Sequence, residues 1–387
     1  MIRTREAVIL AGGFGTRISS IVKDVPKPMA NVAGRPFLRF ILDQLSDNGF
    51  DLVVIADGYK RECIEEYFGS SYRGMRLVYS PEDSPLLTGG AVKKALGYCS
   101  NDWVYVLNGD TFLEIDFEDF ESAAASSSIS TVAILSSKEM KDFDRYGTLE
   151  ITSDNKIRAF KEKQPCSRGL INAGVYLLKA NALHDCPCTF SLESDFFEKI
   201  VSRGVLSAVL CEGAFIDIGI PDDYRRAQSM LSPLVHQWKL AFFDRDGTIN
   251  VDTHHLYEPE KLKLIPEGVT LLKSYSSRAD YKTVVVTNQS GIARGIYTEN
   301  DMFLLHDALD RRLEKYDCKI DAYYFCPHHP DFTGPCECRK PKPGMLLKAM
   351  FDYDANPSEC IMFGDKTSDV QAAQNAHVKG VLCEYAR

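Results

Sequence analysis

Short apolar runs alternate with amphipathic stretches along most of this chain, the rhythm of parallel α/β architecture. Ala7 to Leu10, Leu52 to Ala56, Met75 to Tyr79 and Trp103 to Leu107 read as strands. Phe37 to Leu45 reads as a helix stopped by Asn48-Gly49. Past residue 130 the pattern shifts: Thr131 to Leu135 and Val175 to Leu178 look like strands with less helix between them. A helix is predicted from Pro221 to about Met230, broken by Ser232-Pro233. Lys239 to Phe243 opens a fresh β-loop-α pattern, continued by strands at Thr283 to Thr287, Ala322 to Phe325 and Cys360 to Phe363. The boundary is therefore expected between 229 and 238. It leaves domains 1–232 and 238–387, each large enough to bury its own core.

Composition narrows the class. The 387 residues are 45% hydrophobic and 26% charged, as in a globular protein of two or three domains. A net charge of -9 argues against a general nucleic-acid or membrane-surface binder, which needs a basic face. No apolar run approaches a membrane span, and the apolar N-terminal stretch is too short for a signal peptide, so a cytoplasmic location is expected. Six of the twelve cysteines precede residue 230 and six follow it. Three of the later six crowd into one short metal-spaced cluster, which favours reduced thiols and a zinc site over disulfides. Cys186-Pro187-Cys188 has no neighbouring cluster and is read as structural or incidental.

The first strand runs into Leu10-Ala11-Gly12-Gly13-Phe14-Gly15-Thr16-Arg17, and Pro26-Lys27-Pro28-Met29 follows about ten residues later. Glycines after a first strand let backbone N–H groups approach phosphates, and Arg17 and Lys27 supply positive charge at the ligand-binding edge of the sheet. This ordered pair resembles the nucleotidyltransferases that make nucleotide-activated sugars, whose signature is GGxGTR followed by PKPM. Thr88-Gly89-Gly90, Asn108-Gly109-Asp110, Glu162-Lys163, Asn172-Ala173-Gly174 and Asp217-Ile218-Gly219 continue the likeness in order.

The resemblance implies a Rossmann-like, GT-A-like mixed sheet and attack of a sugar-1-phosphate oxygen on the α-phosphorus of a nucleoside triphosphate. Leu10, Ala11, Gly12, Gly13, Gly15, Thr16, Arg17, Lys27, Thr88, Gly89, Asn108 and Asp110 are the implied nucleotide contacts. Tyr146, Gly147, Glu162, Lys163 and Asn172 are implied for the sugar phosphate. Asp110 and Asp217 would hold Mg²⁺, while Arg17 and Lys27 neutralise the β- and γ-phosphates. Within the family, VPKPMANVAGRPF, PLLTGGAV and LNGDTF look most like heptose-1-phosphate guanylyltransferases, which makes GTP the expected donor. Leu87 stands where that subgroup usually has glycine.

In the second half, Phe243-Asp244-Arg245-Asp246-Gly247-Thr248 places two aspartates on one loop after a strand, a nucleophile and an acid/base in one site. Thr287-Asn288-Gln289-Ser290-Gly291, Arg339-Lys340-Pro341 and Gly364-Asp365-Lys366-Thr367-Ser368-Asp369 follow. The set resembles the haloacid dehalogenase superfamily of phosphatases and implies a parallel sheet. By that resemblance Asp244 is the nucleophile and Asp246 the acid/base. Thr287 and Lys340 hold the phosphoryl oxygens, and Asn288, Arg339 and Lys340 contact the sugar phosphate. Asp244, Asp246, Asp365 and Asp369 make up the Mg²⁺ end. Cys326, His328, Cys336 and Cys338 give three thiolates and one imidazole, a closed set suited to structural zinc, with His329 as the alternative imidazole. This loop and TNQSGIARGIY narrow the likeness to heptose-1,7-bisphosphate 7-phosphatases and histidinol phosphatases. The stretch between His328 and Cys336 is shorter than in many heptose enzymes.

The pairing implies consecutive steps: removal of the 7-phosphate from a heptose 1,7-bisphosphate, then nucleotidyl transfer to the heptose 1-phosphate. An adenine or cytosine base, a histidinol phosphate substrate, or one half serving as a non-catalytic module are the alternatives. Intact Asp110, Asp217, Asp244 and Asp246 argue against the last. His184, His254, His255, His306 and His377 lie outside the motifs and are expected at surface or packing positions. Oligomeric state is left open.

Overall fold

The computed structural model describes residues 5–13, 18, 22, 24–82, 84–126, 130–143, 146–161 and 165–385. The chain forms two compact units, Met1–Val235 and His236–Arg387.

The first unit is built on a ten-stranded mixed sheet. Glu6–Leu10 lies between Leu52–Ala56 and Trp103–Asn108, parallel to both, and Met75–Tyr79 extends the parallel part. These strands are apolar nearly throughout because both faces are covered. Ala7, Ile9, Val53 and Ile55 enter one core, while Val8, Leu52, Val54 and Ala56 enter the other. The predicted helix is present as Phe37–Asp47, which buries Phe37, Leu38, Phe40, Ile41, Leu42 and Leu45.

Beyond residue 130 the strands are longer than their apolar runs suggest. Ala133–Phe143 and Cys166–Lys179 pair antiparallel, and only the end of each next to the main core is continuously buried. Their polar remainders project where water replaces packing, which hides them from a hydrophobicity pattern. Cys166–Lys179 also pairs antiparallel with Trp103–Asn108. Its register with Ala133–Phe143 breaks between Asn172 and Tyr176. Gly174 lies in that break at φ +78, and a Cβ there would meet Asn108 Nδ2 at 2.6 Å, so only glycine fits.

A small antiparallel pair, Thr111–Leu113 with Phe215–Asp217, sets Asp217 opposite Thr111. This pairing carries Asp217 to Asp110 across more than one hundred residues of sequence. Pro221–Leu231 closes the unit as a helix with proline in its first turn, where the missing N–H costs nothing.

The second unit has a five-stranded sheet, all parallel. Its order is Ala322–Cys326, Tyr281–Asn288, Lys239–Phe243, Ile361–Gly364 and Lys379–Leu382. Leu240 and Phe242 face one core, Ala241 and Phe243 the other. Asp244, Asn288 and Asp365 thus sit at or just past the carboxyl ends of neighbouring strands, where open α/β sheets bind ligands. No helix among the described residues is long and apolar enough to cross a membrane.

Candidate active sites

A cavity of about 390 Å³ opens at the carboxyl edge of the first sheet. Leu10, Ala11, Gly12, Gly13, Lys27, Thr88, Asn108 and Asp110 line it, joined by Glu82, Leu87 and Glu193. Lys27 follows Pro26 on a short turn. Its Nζ donates to Asp110 Oδ2 at 2.5 Å and lies 3.6 Å from Asp217 Oδ1. Two carboxylates from different strand ends therefore converge with one lysine, a donor set suited to a divalent cation and the phosphates it would carry.

The remaining predicted residues divide. Gly15, Thr16, Arg17, Glu162 and Lys163 lie outside the described residues. Gly89 is buried under Phe190, where an added Cβ would sit 2.3 Å from the ring, so packing alone requires this glycine. Asn172 spends its amide on Tyr176 Oη and the Gly174 N–H. Tyr146 packs edge-on against Phe215, and Gly147 approaches the Lys161 carbonyl.

Two carboxylates of this cavity escaped the sequence reading. Glu82 Oε2 accepts from the Leu86 N–H at 2.9 Å, and Oε1 sits 2.7 Å from where a Cβ on Gly12 would be. Glu193 accepts from Thr88 Oγ1 at 2.7 Å and from Tyr176 Oη at 3.4 Å. Each is an acid in a polar stretch that holds a second acid nearby, which sequence cannot tell from a solvated one.

The second cavity, about 370 Å³, gathers Asp244, Asp246, Thr287, Asn288, Arg339, Lys340 and Asp369. Lys340 is buried at its centre. Its Nζ donates to Asp244 Oδ1 at 2.8 Å and the Val286 carbonyl at 2.7 Å, and pairs with Asp369 Oδ1 at 2.7 Å. Asn288 clamps the Lys340 backbone from both sides, through Oδ1 to N–H and Nδ2 to the carbonyl. That amide is spent on positioning the lysine. Burial raises the Asp244 carboxyl to about 7, against the pull of Lys340.

Asp246 behaves differently. Burial alone would raise it, but the Arg245 charge and hydrogen bonds from Arg245, Asn250 and Gln289 outweigh burial and hold it below the usual carboxylate range. Both its oxygens are so engaged. The carboxylates that converge with ligand atoms within 4.8 Å of one another are instead Asp244, Asp365 and Asp369. Asp365 Oδ1 is buried without a partner among the described residues, an orphan that a cation would satisfy. Gly247, at φ +91, leaves room for Asp365, whose Oδ2 would lie 2.3 Å from a Cβ there.

Gln289 and Arg245 were not singled out from sequence. Gln289 donates to Asp246 Oδ2 and Thr287 Oγ1 and accepts from Arg245 and Tyr297, so one amide joins two motifs. Arg245 is fully buried, and its Nη1 lies 3.2 Å from His306 Nε2. The histidines separate. His306 packs on Tyr323, while His254 and His255 are exposed and line this cavity.

Cys326, His328, Cys336 and Cys338 meet at the end of Ala322–Cys326. Cys326 Sγ lies 3.6 Å from Cys336 Sγ and 3.2 Å from Cys338 Sγ, and His328 Nδ1 lies 3.3 Å from Cys338 Sγ. A zinc tetrahedron with thiolate bonds near 2.3 Å has edges of about 3.7 Å, so the four atoms need move only a few tenths of an ångström. His329 turns away: its Nε2 meets Arg294 and its Nδ1 caps the next turn. The loop leads directly into Arg339, whose Nη1 donates to the His328 carbonyl.

Comparison with known proteins follows the same division. Residues 6–232 match the nucleotidyl transferase family model, and residues 337–385 match a HAD-hydrolase-like model. Over 230 residues the chain is 44% identical to D-glycero-alpha-D-manno-heptose 1-phosphate guanylyltransferase of Aneurinibacillus thermoaerophilus, covering 58% of this chain and 98% of the relative. Over 140 residues it is 44% identical to D-glycero-alpha-D-manno-heptose-1,7-bisphosphate 7-phosphatase of Campylobacter jejuni, covering 36% of this chain and 78% of the relative. The crystal structure of HddC from Yersinia pseudotuberculosis complexed with GMP-PN is 36% identical, with TM-score 0.52, and covers 58% of this chain and 99% of that one.

Proposed function

We propose, for a chain that belongs to the nucleotidyl transferase family in its first unit and is kin to the heptose bisphosphate 7-phosphatases in its second, two consecutive reactions of heptose activation. The second unit hydrolyses the 7-phosphate of D-glycero-D-manno-heptose 1,7-bisphosphate. The first transfers GMP from GTP to the resulting heptose 1-phosphate and releases pyrophosphate. One observation carries this reading: relatives named for the two steps match a single chain, one its first half and the other its second.

In the phosphatase, an Asp244 carboxylate oxygen attacks phosphorus, forming an aspartyl-phosphate as the ester bond to the sugar breaks. Held ionised by Arg245, Asn250 and Gln289, Asp246 must first take up a proton as the phosphate dianion enters; it gives that proton to the leaving alkoxide and regains one from the water that hydrolyses the acyl phosphate. Arg245, Asn250 and Gln289 aim Asp246, while Lys340 and Thr287 hold phosphoryl oxygens. Mg²⁺ at Asp244, Asp365 and Asp369 would neutralise charge on the transferring group. Zn²⁺ at the Cys326 cluster would fix the loop that carries Arg339 and Lys340.

In the transferase, the sugar-phosphate oxygen attacks the α-phosphorus and pyrophosphate departs. Positioning and charge neutralisation do most of the work between two anions. Asp110 and Asp217 would hold Mg²⁺, and Lys27 would turn from them to the leaving phosphates; Arg17, Glu162 and Lys163 keep the roles their motifs imply. Glu82 supports guanine as the base. A carboxylate accepts from the N1–H and N2–H₂ edge of guanine, whereas adenine offers one amino group beside an acceptor nitrogen.

The test supplies purified protein with Mg²⁺, heptose 1,7-bisphosphate and an equal mixture of four nucleoside triphosphates, with products read by mass spectrometry. GDP-heptose is the expected product. Phosphate release with heptose 1-phosphate accumulating would reject the transferase assignment. No phosphate release would reject the heptose substrate.

A further inference from the structure

The guanidinium of Arg245 is fully buried and divides its donors among several partners. Nε and Nη2 donate to the two oxygens of Asp246 at 3.1 and 2.8 Å, and Nη2 also reaches the Leu256 carbonyl and Gln289 Oε1. Its remaining nitrogen, Nη1, meets one group among the described residues, His306 Nε2 at 3.2 Å. An arginine keeps its protons, so the histidine nitrogen must accept: Nε2 is bare and the ring proton sits on Nδ1. Burial, reinforced by the Arg245 charge, holds the imidazole well below its ordinary range and keeps it neutral.

His306 comes from the helix Glu299–Leu313, whose apolar stripe is Met302, Leu305, Leu309 and Leu313. A residue that only packed here would be one more leucine. Instead the imidazole stacks on Tyr323, with 4.1 Å between centroids and 12° between planes. The Tyr323 hydroxyl donates at 2.6 Å to Asp310 Oδ1, one turn further along the same helix. The ring plane is thereby fixed from the strand Ala322–Cys326, with Nε2 set against Arg245.

A neutral acceptor does here what a carboxylate could not. It takes the outward N–H of the guanidinium without dividing its charge, which stays whole for Asp246. An acid whose ionised form is stabilised in this way gives up its proton readily, as a leaving alkoxide requires. Without that acceptor the buried Nη1 loses its hydrogen bond, and the guanidinium turns toward another, taking the Asp246 carboxylate with it.

We propose that His306 is a positioning residue of the phosphatase, its bare Nε2 fixing the guanidinium that aims Asp246 at the leaving oxygen. This rests on reading the second unit as a phosphatase with Asp246 as its acid/base. No motif contains His306, and a histidine on an apolar helix face reads in sequence as packing.

The test compares wild type with His306→Leu, which fills the space and removes the acceptor, and with His306→Gln, which keeps an acceptor oxygen. Rates are measured for heptose 1,7-bisphosphate, whose alkoxide must be protonated to leave, and for p-nitrophenyl phosphate, whose phenolate need not be. With the bisphosphate, His306→Leu should lower kcat about ten- to one-hundredfold and leave KM nearly unchanged, the usual result of disturbing a supporting hydrogen bond. With the aryl ester the loss should stay below about threefold, because no proton is needed. His306→Gln should recover most of the bisphosphate rate, and thermal melts check that both variants fold. Proton–nitrogen NMR of the wild type should show Nε2 without a proton. Equal losses on the two substrates, or no loss on either, would overturn the proposal while leaving the phosphatase in place. An Nε2 that carries the ring proton would overturn it whatever the rates. A wild type that hydrolyses neither ester would instead reject the phosphatase reading.

Discussion

At the scale of single residues, two positions of the first unit are strained or unsatisfied, one at the cavity and one in the interior. Leu87, where the guanylyltransferase-like motif usually has glycine, stands at φ +60 and leaves an apolar side chain 54% exposed on the cavity. Left-handed backbone costs a residue with a Cβ roughly 1–2 kcal/mol, and glycine loses roughly 0.5–1 kcal/mol more chain entropy on folding. Leu87→Gly should therefore leave stability unchanged or slightly higher. Covering a base with an apolar side chain is worth about 1 kcal/mol, so the KM for GTP should rise about fivefold. Steady-state kinetics beside a melt would show both; an unaltered KM would mean the leucine is idle.

Asp57 is the second such position. It follows Leu52–Ala56, is fully buried, and neither carboxylate oxygen has a side-chain hydrogen-bond partner among the described residues. Burial, reinforced by Glu65 and opposed by Arg61, raises it from 3.8 to about 6. Between those values the folded chain binds a proton that the unfolded chain has released, so stability falls as pH rises through that window. Asp57→Asn should stabilise the first unit by up to about 3 kcal/mol at pH 7.5 and by little near pH 4. Denaturant melts at the two pH values decide it, and an equal effect at both would mean that charge is not the cause.

At the scale of elements, the zinc loop couples metal to catalysis. It joins the end of Ala322–Cys326 to Arg339 and Lys340, and the Lys340 ammonium then reaches three strand ends through Asp244, Val286 and Asp369. A loop without regular structure places a buried lysine to a few tenths of an ångström only if something fixes its base. Elemental analysis should find one zinc per chain, and Cys336→Ser should lose it. Phosphatase activity should then fall about ten- to one-hundredfold, the usual cost of disturbing a positioning shell. Full activity in a zinc-free protein would reject this coupling. The same scale explains the clamp at Asn288: its two hydrogen bonds to the Lys340 backbone are a strand end holding a loop in register.

At the scale of the whole molecule, each unit carries its own sheet, cores and lysine-centred carboxylate cluster. The two activities should therefore separate cleanly. Asp244→Asn should abolish phosphate release by at least about a thousandfold and still convert supplied heptose 1-phosphate to the nucleotide sugar. Asp110→Asn should do the reverse and accumulate heptose 1-phosphate. Chromatography of both products tests the pair. Loss of both activities in either variant would show that the units depend on each other.

The sequence alone determined the two-part organisation, the strands buried on both faces, and the ordered motifs. These features are local: a strand covered on both sides must be apolar throughout, a turn that meets phosphate needs glycine, and metal ligands recur at short spacing. Only the tertiary structure decided which distant residues share a site. The motifs implied that Asp217 joins Asp110, but the three-residue strand pairing that brings them together belongs to the fold, as does the packing of Phe190 against Gly89. Glu82, Glu193 and Gln289, each one polar residue in a polar stretch, line the cavities because chain crossings elsewhere put them there. The same holds for His254 and His255, whose loop faces the phosphatase cavity because Lys366 and Arg245 anchor its ends. Burial and partnership are properties of the folded chain, so a carboxylate like Asp57 acquires its raised pKa only when packing removes its water.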